Sequence, residues 1–163
     1  MEENRTPQKS FYEFDGGVRD VIEKNMQSAA MIRLCQNTLL RGGNLKLKVF
    51  DSDMEPTFKI GDIVTIKPVK INEFNVGDIV FYITDNQKLV AHRIMKKMKW
   101  GTETIFITKA DTKEENDPPV RPSQVMGKAI EVKREGTVIS LESSIKEESI
   151  KKIKSFFGSF FNT

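Results

Sequence analysis

Val76-Gly77-Asp78-Ile79-Val80-Phe81-Tyr82-Ile83 is the stretch on which the fold turns. A Gly-Asp turn runs straight into five apolar residues, β-branched or aromatic throughout. A run this short, bounded by turn signals, reads as a strand covered on both faces. The opening is echoed at Ile60-Gly61-Asp62-Ile63-Val64, which continues through Thr65-Ile66 and is ended by Pro68. Upstream, Leu45, Leu47 and Val49 alternate with Asn44, Lys46 and Lys48, the period of a half-exposed strand. Downstream, Asp85-Asn86-Gln87 turns the chain into Leu89–Ile94, and Gly101 precedes a strand at Thr104–Thr108. Residues 111–123 form a polar, proline-rich loop. Gln124–Lys133 and Thr137–Leu141 are further strands, joined at Glu135-Gly136. Short strands at close spacing, punctuated by Gly and Pro, predict a mainly β domain over residues 44–142, a compact antiparallel barrel or sandwich.

The flanks differ. Residues 1–17 carry no sustained period and read as a flexible arm. Residues 18–43 read as an N-terminal helix: Val18, Val21, Ile22, Ala29, Ile32 and Leu39 recur near helical spacing, and Arg41-Gly42-Gly43 supplies a left-handed stop. Residues 143–163 read as a basic amphipathic helix. Ile145, Ile150, Ile153, Phe156, Phe157, Phe160 and Phe161 share a stripe, with Lys146, Lys151, Lys152 and Lys154 elsewhere. Such a tail either folds its Phe face onto the barrel or lies on an anionic membrane surface.

The 163 residues hold 26 basic and 23 acidic side chains, a net charge of +3. So small an excess points away from nucleic acid as a partner. Cys35 is the single cysteine, so an internal disulfide and a thiolate zinc site are both excluded. Its place in a helical pattern reads as a small buried hydrophobe. No run approaches the ~20 apolar residues that span a bilayer. The polar, acidic start Met1-Glu2-Glu3-Asn4 does not read as a signal peptide, so the expected location is the cytoplasm, with peripheral membrane contact through residues 144–163 as the variant. No cofactor is expected.

Three segments gather the chemistry-bearing residues: Asp51-Ser52-Asp53-Met54-Glu55-Pro56, then Val90-Ala91-His92-Arg93-Ile94, then Lys109-Ala110-Asp111-Thr112 with Asp117 beyond. A Ser-His-Asp hydrolase needs an attacking hydroxyl, an imidazole to take its proton and a carboxylate to orient the imidazole. His92 is the single histidine, set in an apolar strand where it needs a partner. Asp111 and Asp117 are both placed to offer one.

The order of these segments resembles signal peptidase I of the archaeal and endoplasmic-reticulum kind, within the superfamily that includes the LexA-type self-cleaving peptidases. That family shows Ser-x-Ser-Met-x-Pro, then Gly-Asp, Val-Gly-Asp-Ile-Val, His-Arg-Val, and Lys-Gly-Asp-Asn with a later Asp. Here they stand as Asp51–Pro56, Gly61-Asp62, Val76–Val80, His92-Arg93-Ile94, and Lys109–Thr112 with Asp117. Gln124–Ala129 resembles the following Val-x-Gly-Arg strand. The lead-in Leu39–Gly43 is similar to a soluble bacterial branch that lacks the membrane anchor. The resemblance implies His92 as general base, Asp111 or Asp117 as its orienting acid, and a peptide bound along a strand edge near Met54, Glu55, Pro56 and Phe81.

The departure lies at Asp53, where the family has its nucleophilic serine. A carboxylate attacking an amide would give a mixed anhydride, which is not an expected route for peptide cleavage. Asp53 is instead expected to pair ionically with a protonated His92, and a protonated histidine is no general base. Three functions follow. The first is an inactive or impaired serine-peptidase homologue that binds an extended peptide. The second is an active endopeptidase using Ser52 with His92; adjacent side chains in an extended segment point to opposite faces, so Ser52 needs a bulge to reach the imidazole. The third is a membrane-surface adaptor working through the tail. A divalent metal held by Asp53, His92, Asp111 and Asp117 is weighed against a plain charge network, and the network is preferred.

Overall fold

The computed structural model describes residues 28–142, together with the backbone of Phe14–Asp15 and Val18–Arg19. The basic tail at 143–163 and most of the N-terminal arm lie outside the described residues. Among the described residues there is one α-helix, α1 (Ala29–Leu40). Ser28 caps it, its Oγ accepting from the Met31 amide at 3.2 Å. Gly42, at φ 82°, ends it in the left-handed turn expected of Arg41-Gly42-Gly43. The helix is shorter than the sequence pattern suggested. Val18–Arg19 lies in a strand, where neighbouring backbone overrides a weak apolar period.

The strands are β1 (Phe14–Asp15), β2 (Val18–Arg19), β3 (Asn44–Lys48), β4 (Ile63–Lys67), β5 (Ile79–Ile83), β6 (Leu89–Trp100), β7 (Glu103–Lys109), β8 (Val125–Arg134) and β9 (Thr137–Ser140). They form one nine-stranded sheet in the order β1-β2-β3-β4-β8-β5-β6-β7, with β9 branching from β8. Every pairing is antiparallel except β2 with β3. The mainly antiparallel β class expected is therefore observed, as one open sheet. β6 runs well past Ile94, because its outer half pairs with β7 from Arg93↔Lys109 to Trp100↔Glu103.

β5 sits between β8 and β6, and all five of its residues are buried. The pleat sends them into two separate cores. Ile79, Phe81 and Ile83 join Ile32, Cys35, Leu39, Leu47, Phe58 and Val64 on the helix side. Val80 and Tyr82 join Phe74, Ile94, Phe106 and Val120 on the other. There Phe74 and Phe106 meet at a centroid distance of 5.3 Å, tilted by 56°. Burying each such aromatic contributes roughly 1.5–3 kcal/mol.

The two Gly-Asp turns are built alike. Asp62 accepts from the Lys59 amide at 2.7 Å, and Asp78 from the Asn75 amide at 2.8 Å. Both carboxylates are buried and both are neutralised from β8, Asp62 by Arg134 at 2.7 Å and Asp78 by Lys128 at 3.0 Å. One strand thus anchors both turns. They in turn fix where β4 and β5 begin, and β5 positions the site.

Candidate functional site

β5 and β6 set the first half of the site. Their register pairs Val80 with His92 and places Tyr82 on the same face two residue pairs along. His92 is 6% exposed. Its Nδ1 lies 2.6 Å from Asp117 Oδ2, short enough for a charge-assisted hydrogen bond donated by the imidazole. Thr108 Oγ1, fully buried on β7, donates to the same oxygen at 2.8 Å, and Tyr82 Oη donates to it at 3.3 Å. Burial pushes the Tyr82 phenol up to about 12, so it stays a donor. The Asp117 amide bonds the Thr108 carbonyl at 2.8 Å, and Val120 bridges to Phe106 on the same strand. The loop after β7 thus doubles back and delivers Asp117 to the imidazole.

Asp111 is held elsewhere. Arg93 Nε and Nη2 donate to its two oxygens at 2.8 and 2.7 Å, and Thr57 Oγ1 adds a bond at 2.7 Å. Burial alone would push the Asp111 carboxyl up; the Arg93 and Thr57 hydrogen bonds outweigh it and hold the group below the ordinary carboxylate range. Of the two aspartates proposed to orient His92, Asp117 has the position and Asp111 does not.

The segment 50–58 is a succession of turns, not extended chain. The Asp53 amide donates to Asp51 Oδ1 at 3.1 Å, and the Phe58 amide to the Met54 carbonyl at 2.9 Å. Met54 and Phe58 plug the helix-side core. Thr112 clamps the Asp53 carbonyl from across the site, through its amide at 3.1 Å and its hydroxyl at 2.9 Å. So held, Asp53 Oδ2 stands 3.9 Å from His92 Nε2 and 3.9 Å from Lys113 Nζ, beyond hydrogen-bond length in both cases. The face-alternation argument for Ser52 does not apply to a turn. Ser52 is nevertheless exposed and absent from the cavity wall, whereas Asp53 lines it.

That cavity, about 250 Å³, opens between the end of β3 and the start of β6. Leu47, Val49, Met54, Phe58, Phe81 and Ala91 supply apolar wall, with Asp53 and His92 at its polar end. Glu55 and Pro56, expected near a bound peptide, are exposed and do not line it, because the turn carries them outward. β7 begins to pair with β6 only at Arg93, so Val90–His92 present an outer edge without a ladder partner among the described residues.

Among the described residues no group of three or more His, Cys, Asp or Glu side chains is arranged to hold a metal ion. The four residues weighed for that role are divided: Asp111 faces Arg93, and only Asp117 and Asp53 flank the imidazole. Tyr82, Thr108, Arg93, Thr57 and Lys113 were not singled out from sequence. The signal available was a hydroxyl within each of two strands, Tyr82 in β5 and Thr108 in β7, but its meaning depends on register.

The chain is similar in sequence to signal peptidases. It is 33% identical over 64 residues to signal peptidase I W of Bacillus subtilis, which is 39% of this chain and 34% of that protein. Over 71 residues it is 34% identical to the signal peptidase complex catalytic subunit SEC11 of Chaetomium globosum, and 32% identical to that of Colletotrichum graminicola. Those matches cover 42% of this chain and 41% of each subunit. The chain therefore spans between a third and a half of the length of these curated relatives. No family model matches it. Among the described residues no helix is long and apolar enough to cross a membrane. Likeness to signal peptidases, on a mainly antiparallel β fold, is the conclusion these findings support.

Proposed function

We propose that this chain is a signal-peptidase-like protein of the soluble bacterial branch, working in the cytoplasm, that binds an extended peptide without cleaving it. One observation carries the reading. His92 Nδ1 is held by Asp117 at 2.6 Å, as an orienting acid holds a general base, while the side chain facing Nε2 is the Asp53 carboxylate. Base and acid are arranged for acyl transfer, and the group between them and the cleft is not a competent nucleophile toward an amide. The outer edge of Val90–His92, without a ladder partner among the described residues, and the apolar cavity beside it suit a peptide added as a strand.

The test is Asp53→Ser. The variant should acquire a serine that reacts with a fluorophosphonate probe and cleaves peptides, and His92→Ala in the same background should remove both. A parent protein that already cleaves peptides would sink the reading. An active Ser52 is less well supported, since Ser52 is exposed and does not line the cavity that His92 lines. Should the parent label with the probe and lose labelling in Ser52→Ala, that alternative wins. The membrane-adaptor reading rests on residues 144–163, outside the described residues. Equal co-sedimentation with anionic liposomes by the full chain and by a chain ending at Ser144 would remove it.

A further inference from the structure

We propose that the cleft takes the free amino terminus of a peptide whose first residue is apolar, its ammonium group seated on Asp53 and its first side chain in the adjoining cavity. The inference rests on the peptide-binding reading and adds the chemistry of the ligand.

The charge at the centre of the cleft is the starting point. In a serine peptidase the group facing the imidazole meets an electrophilic carbonyl. A carboxylate there repels the carbonyl oxygen and attracts a donor carrying positive charge. Asp53 has unused capacity for such a donor. Asp62, Asp111 and Asp117 each accept two or more hydrogen bonds from the protein. The Asp53 carboxylate accepts none from any described residue, and the basic groups nearest it, on His92 and Lys113, both stand off at 3.9 Å. A carboxylate has about four acceptor sites, and an ammonium has three donors to give.

Position and shape point the same way. The two hydrogen bonds from Thr112 to the Asp53 carbonyl fix the backbone from which the carboxylate projects. The apolar wall of Leu47, Val49, Phe58, Phe81 and Ala91 begins directly beside it. In an N-terminal residue the ammonium and the side chain diverge from one carbon, matching a carboxylate that adjoins an apolar cavity. A lysine side chain carries its ammonium at the far end, with nothing apolar beyond it to fill the space. Lys113, with its side chain 58% exposed, can swing aside on its flexible stem.

Fluorescence anisotropy on the full chain tests this, using a short peptide that begins with leucine and carries the fluorophore at its C-terminus. The free-amine peptide should bind about tenfold more tightly than its N-acetylated form, the value of one charge-assisted hydrogen bond. Asp53→Asn and Asp53→Ala should erase the preference between the two peptides. Equal binding of both peptides by the parent overturns this inference and leaves the peptide-binding reading standing. Failure of both peptides to bind overturns the two together. A preference that survives in both Asp53 variants removes Asp53 as its source. An N-acetylated peptide with an internal lysine that binds as well as the free-amine peptide shows that the amino terminus is not what is recognised.

Discussion

Asp117 Oδ2 and His92 Nδ1 lie 2.6 Å apart, and the same oxygen is held by Thr108 at 2.8 Å. The carboxylate is thus fixed from two sides, and the imidazole carries its proton on Nδ1 toward it, with Nε2 left facing Asp53.

Asp117→Asn should therefore shift His92 toward the Nε2-protonated tautomer, read by nitrogen-15 NMR of the imidazole. Asp111→Asn should leave the tautomer unchanged and instead lower unfolding stability by about 2 kcal/mol in urea, the range for hydrogen bonds to a charged group. Swapped phenotypes would reverse the two assignments.

Stability should fall on acidification, and the sign follows from the carboxylates. Hydrogen bonds from Arg134, outweighing burial, hold Asp62 below the ordinary carboxylate range; the Arg93 and Thr57 bonds, working against burial, do the same for Asp111. Groups whose pKa is depressed on folding add stability that is present above their unfolded pKa, about 4. That stability is lost as pH drops through the folded value. Denaturation midpoints should hold steady down to the ordinary carboxylate range and decline below it. Arg93→Met should flatten the decline, since it removes the bonds that depress Asp111.

Gly127→Ala should destabilise by about 1–3 kcal/mol. Gly127 lies where β8 passes between β4 and β5, and a Cβ there would meet Ile66 Cγ2 at 2.7 Å and the Lys67 carbonyl oxygen at 2.8 Å. The backbone oxygen cannot give way as a side chain can. A urea midpoint equal to the parent's would show that the sheet spreads freely at this point.

Cys35 should resist alkylation in the native protein. It is 1% exposed, and burial pushes its thiol up to about 11, so little thiolate forms near neutral pH. Iodoacetamide at pH 8 should modify it only at the rate of opening. Addition of urea beyond the midpoint should make modification rapid, as mass spectrometry will show.

Much of the scaffold was legible in the chain. Ile79–Ile83 had to be a strand covered on both faces, because nothing polar interrupts it, and its five residues are all buried. The alternation at Leu45 and Leu47 gave β3 its inward face. The glycine stop after Leu40 was readable because few other residues adopt a left-handed φ. The start of the helix was not, since Val18 fits a helical period yet lies in a strand, and the helix begins only at Ala29.

By itself the sequence determined the strands from β3 to β9 in outline, the turns between them and the candidate trio of segments around Asp53, His92 and the two later aspartates. Tertiary structure alone decided which carboxylate serves the histidine. Asp111 follows directly on β7, where the pairing of Arg93 with Lys109 brings it to the guanidinium. Asp117 reaches His92 only because its loop folds back onto Thr108 and Phe106. Spacing along a chain cannot report such a return, which depends on bonds made between residues that a strand register first has to align. The same holds for Tyr82 and Thr108, hydroxyls that look incidental in their strands and meet at one oxygen of Asp117 once the sheet is formed.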